Sequence, residues 1–236
     1  MVPIGFDKII GEQFSNSLNN NPVQYPQLKK ESNPQLYAYV QQLVQKLLAT
    51  GKVKHKDDFE WDIHIVKDDS VLNAFCVAGG HIYVYTGLIK YLDSEDQLAG
   101  VLGHEIAHAD LRHTTNQIIK NYSLSIAISL IFGGDFGFLA GLGQQLAGLT
   151  FSRSDEQEAD EAAVEYLYNT DYDSRGVGGF FKKMTNEKKD TKIPEFLSTH
   201  PASENRIQDI EATWKELGGK EGKTFALEYQ KIKSSI

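Results

Sequence analysis

"LAGVLGHEIAHADLRH", residues 98–113, is the stretch on which the reading of this chain turns. It sets His104 and His108 four residues apart, with Glu105 beside the first, in a run otherwise built mostly from small and apolar residues. Residues i and i+4 of a helix project from one face, about 6 Å apart. Both imidazoles can therefore bring a nitrogen to the roughly 2.0–2.1 Å that zinc requires. Glu105 is turned about 100° from His104, so it is no simple third ligand, but it can reach a water held by the metal. Two histidines and a glutamate buried on an apolar helix without partners would be costly, which argues against a chance pattern.

The neighbouring residues extend this helix. "SEDQ" at 94–97 reads as a capping box, with Ser94 as cap and Gln97 reaching back. Leu98, Val101, Leu102 and Ala109 are expected to face the core. His113, five residues after His108, falls around the other side and reads as an exposed histidine near a helix end.

A catalytic zinc needs a third protein ligand and an open position. A histidine six residues after the second, following a glycine, is one solution; Leu111 and Thr114 occupy those places, so it fails here. The other solution takes a carboxylate from a later helix, and "SRSDEQEADEAAVEYL" (152–167) offers several. Glu156, Ala159, Asp160, Ala163 and Leu167 form one stripe at helical spacing, with Glu158, Ala162, Glu165 and Asn169 on the opposite, polar face. Glu156 is thus the expected third ligand. Asp160, one turn on, suits a hydrogen bond to a ligand histidine's free N–H. A salt bridge from Asp160 to Arg112, Arg153 or Arg206 is the alternative.

Elsewhere, residues 1–32 read as a helix and an irregular lead-in. Residues 33–50 read as a helix capped by Asn33, with Pro34 in its first position, Val40, Leu43, Val44 and Leu47 as its apolar stripe, and Gly51 closing it. "FEWDIHIVK" (59–67) alternates like a half-buried strand, and 73–87 reads as two short strands around Gly79-Gly80. Helices are expected at about 154–169, 174–188 and 203–217, with Ser154, Ser174 and Ser203 as caps. Helices outnumber strands, so the fold class is α+β, mainly helical, with a small mixed or antiparallel sheet.

The chain resembles the HExxH zinc metallopeptidases of the CAAX prenyl endopeptidase and HtpX-type family, and is most similar to their soluble BepA-like and Oma-like branch. "GHEIAHADLRH" resembles the family's metal helix, "SRSDEQEAD" its S-R-x-x-E-x-E-A-D signature, and "STHPASENRI" its His-Pro followed by Arg. "NAFCVAGGHIYVYTGLI" resembles the family's strand segment, with Ala78 where proline is usual. The resemblance implies a zincin-like (gluzincin) fold and one zinc ion on His104, His108 and Glu156. It implies Glu105 as general base, and His200 as either a transition-state stabiliser or a fourth ligand at rest. Arg206 is then an ion-pair partner or faces substrate. Asn73, Ala74, Phe75, Cys76 and Val77 resemble the edge strand along which an extended peptide lies. Residues 1–236 are read as a single domain: lead-in 1–32, catalytic body 33–217 and tail 218–236.

Composition narrows the partners. A net charge of −8 argues against a nucleic-acid backbone as partner; unfolded or extended polypeptides as substrates are what the resemblance implies. One cysteine, Cys76, excludes an intrachain disulfide. Cys76 also raises a deformylase-like rival, in which a cysteine joins HExxH as ligand, although the remaining cysteine motif is absent. Residues 123–150 are the most apolar, but glycines and Asp135 interrupt them. They therefore suggest a buried helical hairpin or peripheral membrane contact rather than an integral span. "MVPIGFDKIIGEQ" lacks the apolar run of a secretory signal; the compartment stays open between the cytoplasm and the periplasm that the resemblance implies.

Overall fold

A computed structural model describes residues 2–120, 150–187, 195–201 and 205–236. Its elements are α1 (Gly5–Asn19), α2 (Pro34–Leu48), β1 (Ile63–Val66), β2 (Ala74–Val77), β3 (His81–Tyr85), α3 (Thr86–Tyr91) and α4 (Glu95–Asp110). The chain is helical again over 113–120. There follow α5 (Arg153–Tyr168), α6 (Gly179–Asn186), α7 (Glu195–Thr199), α8 (Arg206–Glu216) and α9 (Ala226–Lys233). The fold is α+β and mainly helical, as the sequence predicts.

Among the described residues the sheet has three strands in the order β1-β3-β2, β1 parallel and β2 antiparallel to β3. Alternation along each strand gives it two apolar faces. Ile63, Ile65, Ile82 and Val84 join the main core with α2, α4 and α5. Val66, Phe75, Val77, Tyr83 and Tyr85 pack with Phe14 and Leu18 of α1 on the other side. The two edges are treated differently. The lead-in covers β1, with Leu28 N–H donating to Ile65 O at 2.8 Å and Lys67 N–H to Pro26 O at 2.6 Å. On β2, Cys76 N–H points away from β3 and donates to the Glu105 carboxylate at 3.1 Å.

Close packing seats α4 in the middle. At Gly100 an added Cβ would stand 2.6 Å from Val177 N, so only glycine lets the 3-10 turn Ser174–Gly178 cross there. Gly79 and Gly80, at φ +82° and +90°, make the β2–β3 connection in a conformation that favours glycine.

Several local expectations shift by a residue or two. Asn33 makes no side-chain cap, its amide turning back to Lys29 O. At α4 no capping box forms: the Ser94 hydroxyl turns to Asp96, and the Gln97 carbonyl accepts from Asp93 N–H at 2.9 Å. At α5 a capping box is made two residues earlier than Ser154 would place the cap, between Ser152 and Asp155. Asp173, not Ser174, accepts from the N–H of Arg175, and 174–178 is 3-10 before α6 begins. Ser203 and almost all of 123–150 lie outside the described residues. Residues 218–236 carry α9, whose buried Tyr229 donates to Ile89 O at 2.7 Å. No helix among the described residues is long and apolar enough to cross a membrane.

Candidate metal centre

His104 and His108 sit one turn apart on α4, both buried, with their Nε2 atoms 2.9 Å apart. α5 runs close against this face because Gly103 leaves room: a Cβ there would be 3.0 Å from the Leu167 side chain. The stripe read from periodicity is the stripe that is buried. Glu156, Ala159, Asp160, Ala163 and Leu167 all face inward, while Glu158 and Asn169 are exposed.

Glu156 thereby meets the histidine pair, its carboxylate 3.5 Å from His104 Nε2 and 3.4 Å from His108 Nε2. His200, at the end of α7, brings Nδ1 to 2.9 Å from Glu156 Oε1 and 3.2 Å from His104 Nε2. The short α7 holds it there: His200 N–H donates to Phe196 O at 2.8 Å, and the two rings stack with centroids 4.5 Å apart. Burial alone would push the Glu156 carboxyl up, but hydrogen bonds from the three histidines outweigh it and hold the group well below its ordinary value.

Asp160 and Arg206 back this cluster, and the two readings of Asp160 turn out to be compatible. Its carboxylate lies 2.9 Å from His104 Nδ1 and also 2.7 Å from Arg206 Nε. Arg206, buried at the start of α8, donates Nη1 to Glu156 Oε2 at 2.8 Å and lies over the Phe181 ring. The expected ion pair is made: Arg206 lies behind Glu156, away from the cleft beside Glu105, and lines a second cavity together with Glu156 and Asp160. Arg112 pairs with Asp7 instead of Asp160.

His113 corrects the sequence reading. It is buried, with Nδ1 2.9 Å from His108 Nδ1 and Nε2 3.7 Å from Glu158 Oε2. The expectation of an exposed ring assumed that α4 continues, whereas the helix ends at Asp110 and Arg112 adopts φ +61°. That left-handed residue starts a new helical segment and swings His113 back beneath His108. Burial pushes the His113 ring down from its ordinary value, against Asp155 and Glu158. Phe151 stacks on the His108 ring, with centroids 3.9 Å apart.

Glu105 is not one of the converging donors. Its Oε2 accepts the Cys76 N–H, and Oε1, buried and without a hydrogen-bond partner among the described residues, lies 3.4 Å from His200 Nε2. Burial pushes this carboxyl above its ordinary value, with His200 and His104 pulling it partly back. Both Glu105 and His200 open onto a cleft of about 500 Å³ that includes its mouth. Asn73, Phe75, Cys76 and Val77 of the strand segment line it; Ala74 is buried in the core on the same strand.

The donor set is chemically suited to zinc. Three imidazoles and one carboxylate converge within 4.8 Å, and the contacts of His104 and Glu156 within the set run from 2.9 to 3.5 Å, close to the roughly 3.3–3.4 Å edge of a tetrahedron with zinc–nitrogen bond lengths. Behind them, Asp160 faces His104, His113 faces His108 and Arg206 faces Glu156. The cluster of Asp62, His64 and His81 is different. There the carboxylate lies between the rings at 2.6 and 2.8 Å, and His64 has Gln27 on its other nitrogen at 3.0 Å, so it reads as a hydrogen-bonded clamp across β1 and β3. Cys76 is not among the convergent donors; its thiol donates to Val77 O at 3.4 Å, which removes the deformylase-like rival.

A helical His-Glu-x-x-His pair, met by a glutamate from a second helix beside a sheet edge, defines a metallopeptidase of the HExxH type. Residues 34–214 match the family model described as peptidase family M48, and the chain belongs to that family. It is 29% identical over 191 residues to the β-barrel assembly-enhancing protease of Yersinia pestis, covering 75% of this chain and 38% of that protein. It is 32% identical over 180 residues to the mitochondrial metalloendopeptidase OMA1 of Schizosaccharomyces pombe, covering 73% and 51%. With OMA1 of Bos taurus the identity is 30%, over 74% of this chain and 36% of the relative. The chain thus spans between about a third and a half of the length of these relatives.

Proposed function

We propose that this chain hydrolyses internal peptide bonds of unfolded or misassembled proteins, with one zinc ion held by His104, His108 and Glu156. The observation that carries this reading is the buried Oε1 of Glu105, which has no hydrogen-bond partner among the described residues and is set between the donor cluster and a cleft bordered by the edge strand β2. When bound, zinc polarises the scissile carbonyl and acidifies water. Glu105 takes the proton of the attacking water as its oxygen bonds to the carbonyl carbon. It then delivers that proton to the amine nitrogen as the C–N bond breaks. The raised carboxyl of Glu105 suits both transfers. A substrate laid along β2 pairs through backbone groups, which supports broad specificity. Asn73, whose buried Oδ1 has no partner among the described residues, offers one more acceptor to that backbone.

The test is Glu105→Gln. It keeps zinc, because Glu105 is not a ligand, and lowers hydrolysis of an unfolded casein-type substrate by about 10²–10⁴. Loss of zinc from this variant overturns the assignment.

A second reading concerns the resting state. His200 Nδ1 lies among the donors, so His200 acts as a fourth ligand that closes the site until it swings away. In its strongest form this describes a latent or chaperone-like zinc protein with weak proteolysis. The Yersinia pestis relative is named for enhancing β-barrel assembly and the Schizosaccharomyces pombe relative is named mitochondrial; with the resemblance read from the sequence, misassembled envelope proteins are the proposed substrates and the periplasm the proposed compartment.

A further inference from the structure

We propose that His113 is a positioning residue for the metal site, fixing both the ring and the proton of His108; this rests on the reading of His108 as a ligand. The argument begins with one proton. His108 turns Nε2 toward His104 and Glu156 and Nδ1 toward His113, where the two Nδ1 atoms are 2.9 Å apart. A ring that offers the Nε2 lone pair to a metal carries its proton on Nδ1. His108 therefore donates, and His113 Nδ1 accepts. The neutral His113 then carries its own proton on Nε2, the nitrogen facing Glu158 Oε2 at 3.7 Å.

This gives the two α4 histidines different supports. His104 has the carboxylate of Asp160 at 2.9 Å, the usual arrangement for a ligand histidine. His108 has a second imidazole, which can accept in one tautomer only. The support is also built rigidly. His113 follows Arg112, whose left-handed backbone makes the turn and whose guanidinium is tied to the buried Asp7. Phe151 stacks on the His108 ring, with centroids 3.9 Å apart. With its ring confined in this way, His108 has little freedom to rotate its Nε2 away from the cluster.

Zinc affinity, measured by competition with a chromogenic chelator on the full chain, tests the proposal without recourse to activity. His113→Leu keeps apolar volume and removes the acceptor; it weakens zinc binding by about 10–100-fold. His113→Asn carries an oxygen the same number of bonds from Cα as Nδ1 and restores affinity to within a few-fold of the parent. Thermal midpoints of the zinc-free proteins report any general loss of fold. Equal weakening by Leu and Asn, or parental affinity in His113→Leu, overturns the proposal. Should His113→Leu not fold, His113→Gln replaces it, because its acceptor sits one bond too far out. Asn binding more tightly than Gln then supports the role, and equal affinities overturn it. A parent that binds no zinc refutes the ligand reading itself, which the variant-to-parent ratios do not address.

Discussion

Asp7 of α1 holds Arg112 through two of its guanidinium nitrogens, with Nε at 3.0 Å and Nη2 at 2.6 Å from Oδ2. Thr115 also donates to Asp7, at 2.5 Å, so a fully buried carboxylate from the first helix clamps the turn between α4 and residues 113–120. Removing one partner of a buried pair strands the other. Asp7→Ala is therefore expected to cost about 3 kcal/mol in urea unfolding. A loss below about 1 kcal/mol in that measurement means that the clamp is not what holds the turn.

Glu156 and Glu158 are two residues apart on α5 but face opposite ways. Glu156→Ala removes a donor and strands Arg206 Nη1, and zinc affinity falls by orders of magnitude. Glu158→Ala removes an exposed side chain that comes only within 3.7 Å of His113, and affinity changes a few-fold at most. Titration against a chelator ranks the two; the reverse order means that α5 faces the metal with its other side.

His200 separates two modes of action. As a latch it occupies a coordination place, so His200→Ala and His200→Phe cleave an unfolded substrate faster than the parent. As a stabiliser of the developing oxyanion, its loss costs about 10²–10³ in rate with zinc retained. The contact of Nδ1 with Glu156 at 2.9 Å favours the first outcome. Initial rates with matched zinc content distinguish them.

Asp96, near the start of α4, is pushed up to about 6 by burial, with Asp173 adding to the shift and the Ser94 hydroxyl opposing it. A carboxyl whose folded value lies above its unfolded value of about 3.9 favours the fold while neutral. This stability is complete below about pH 4 and is lost as the pH climbs through about 6. Asp96→Asn stays neutral throughout, so its stability rises relative to the parent's by about 2–3 kcal/mol between pH 4 and 7. Urea midpoints at several pH values read the difference; parallel pH profiles contradict the assignment.

Periodicity alone makes much of the site legible. The four-residue spacing of His104 and His108, and the stripe through Glu156 and Asp160, depend only on 3.6 residues per turn, and both helices form where those patterns lie. The alternation of 63–66 and the glycines at 79 and 80 likewise predict the strands and their connection. Cap assignments were less secure because several serines or polar neighbours compete at each helix start, and the incoming chain selects among them. Ser152 displaced Ser154 in this way. What only the tertiary structure decided is how distant segments meet. The left-handed Arg112, clamped by an aspartate 105 residues earlier, turns His113 under His108. The short α7 delivers His200 between Glu156 and Glu105. No local pattern encodes those contacts, since a side chain's partner across 44 or 105 residues depends on how whole elements pack and on the need to pair each charge that the packing buries.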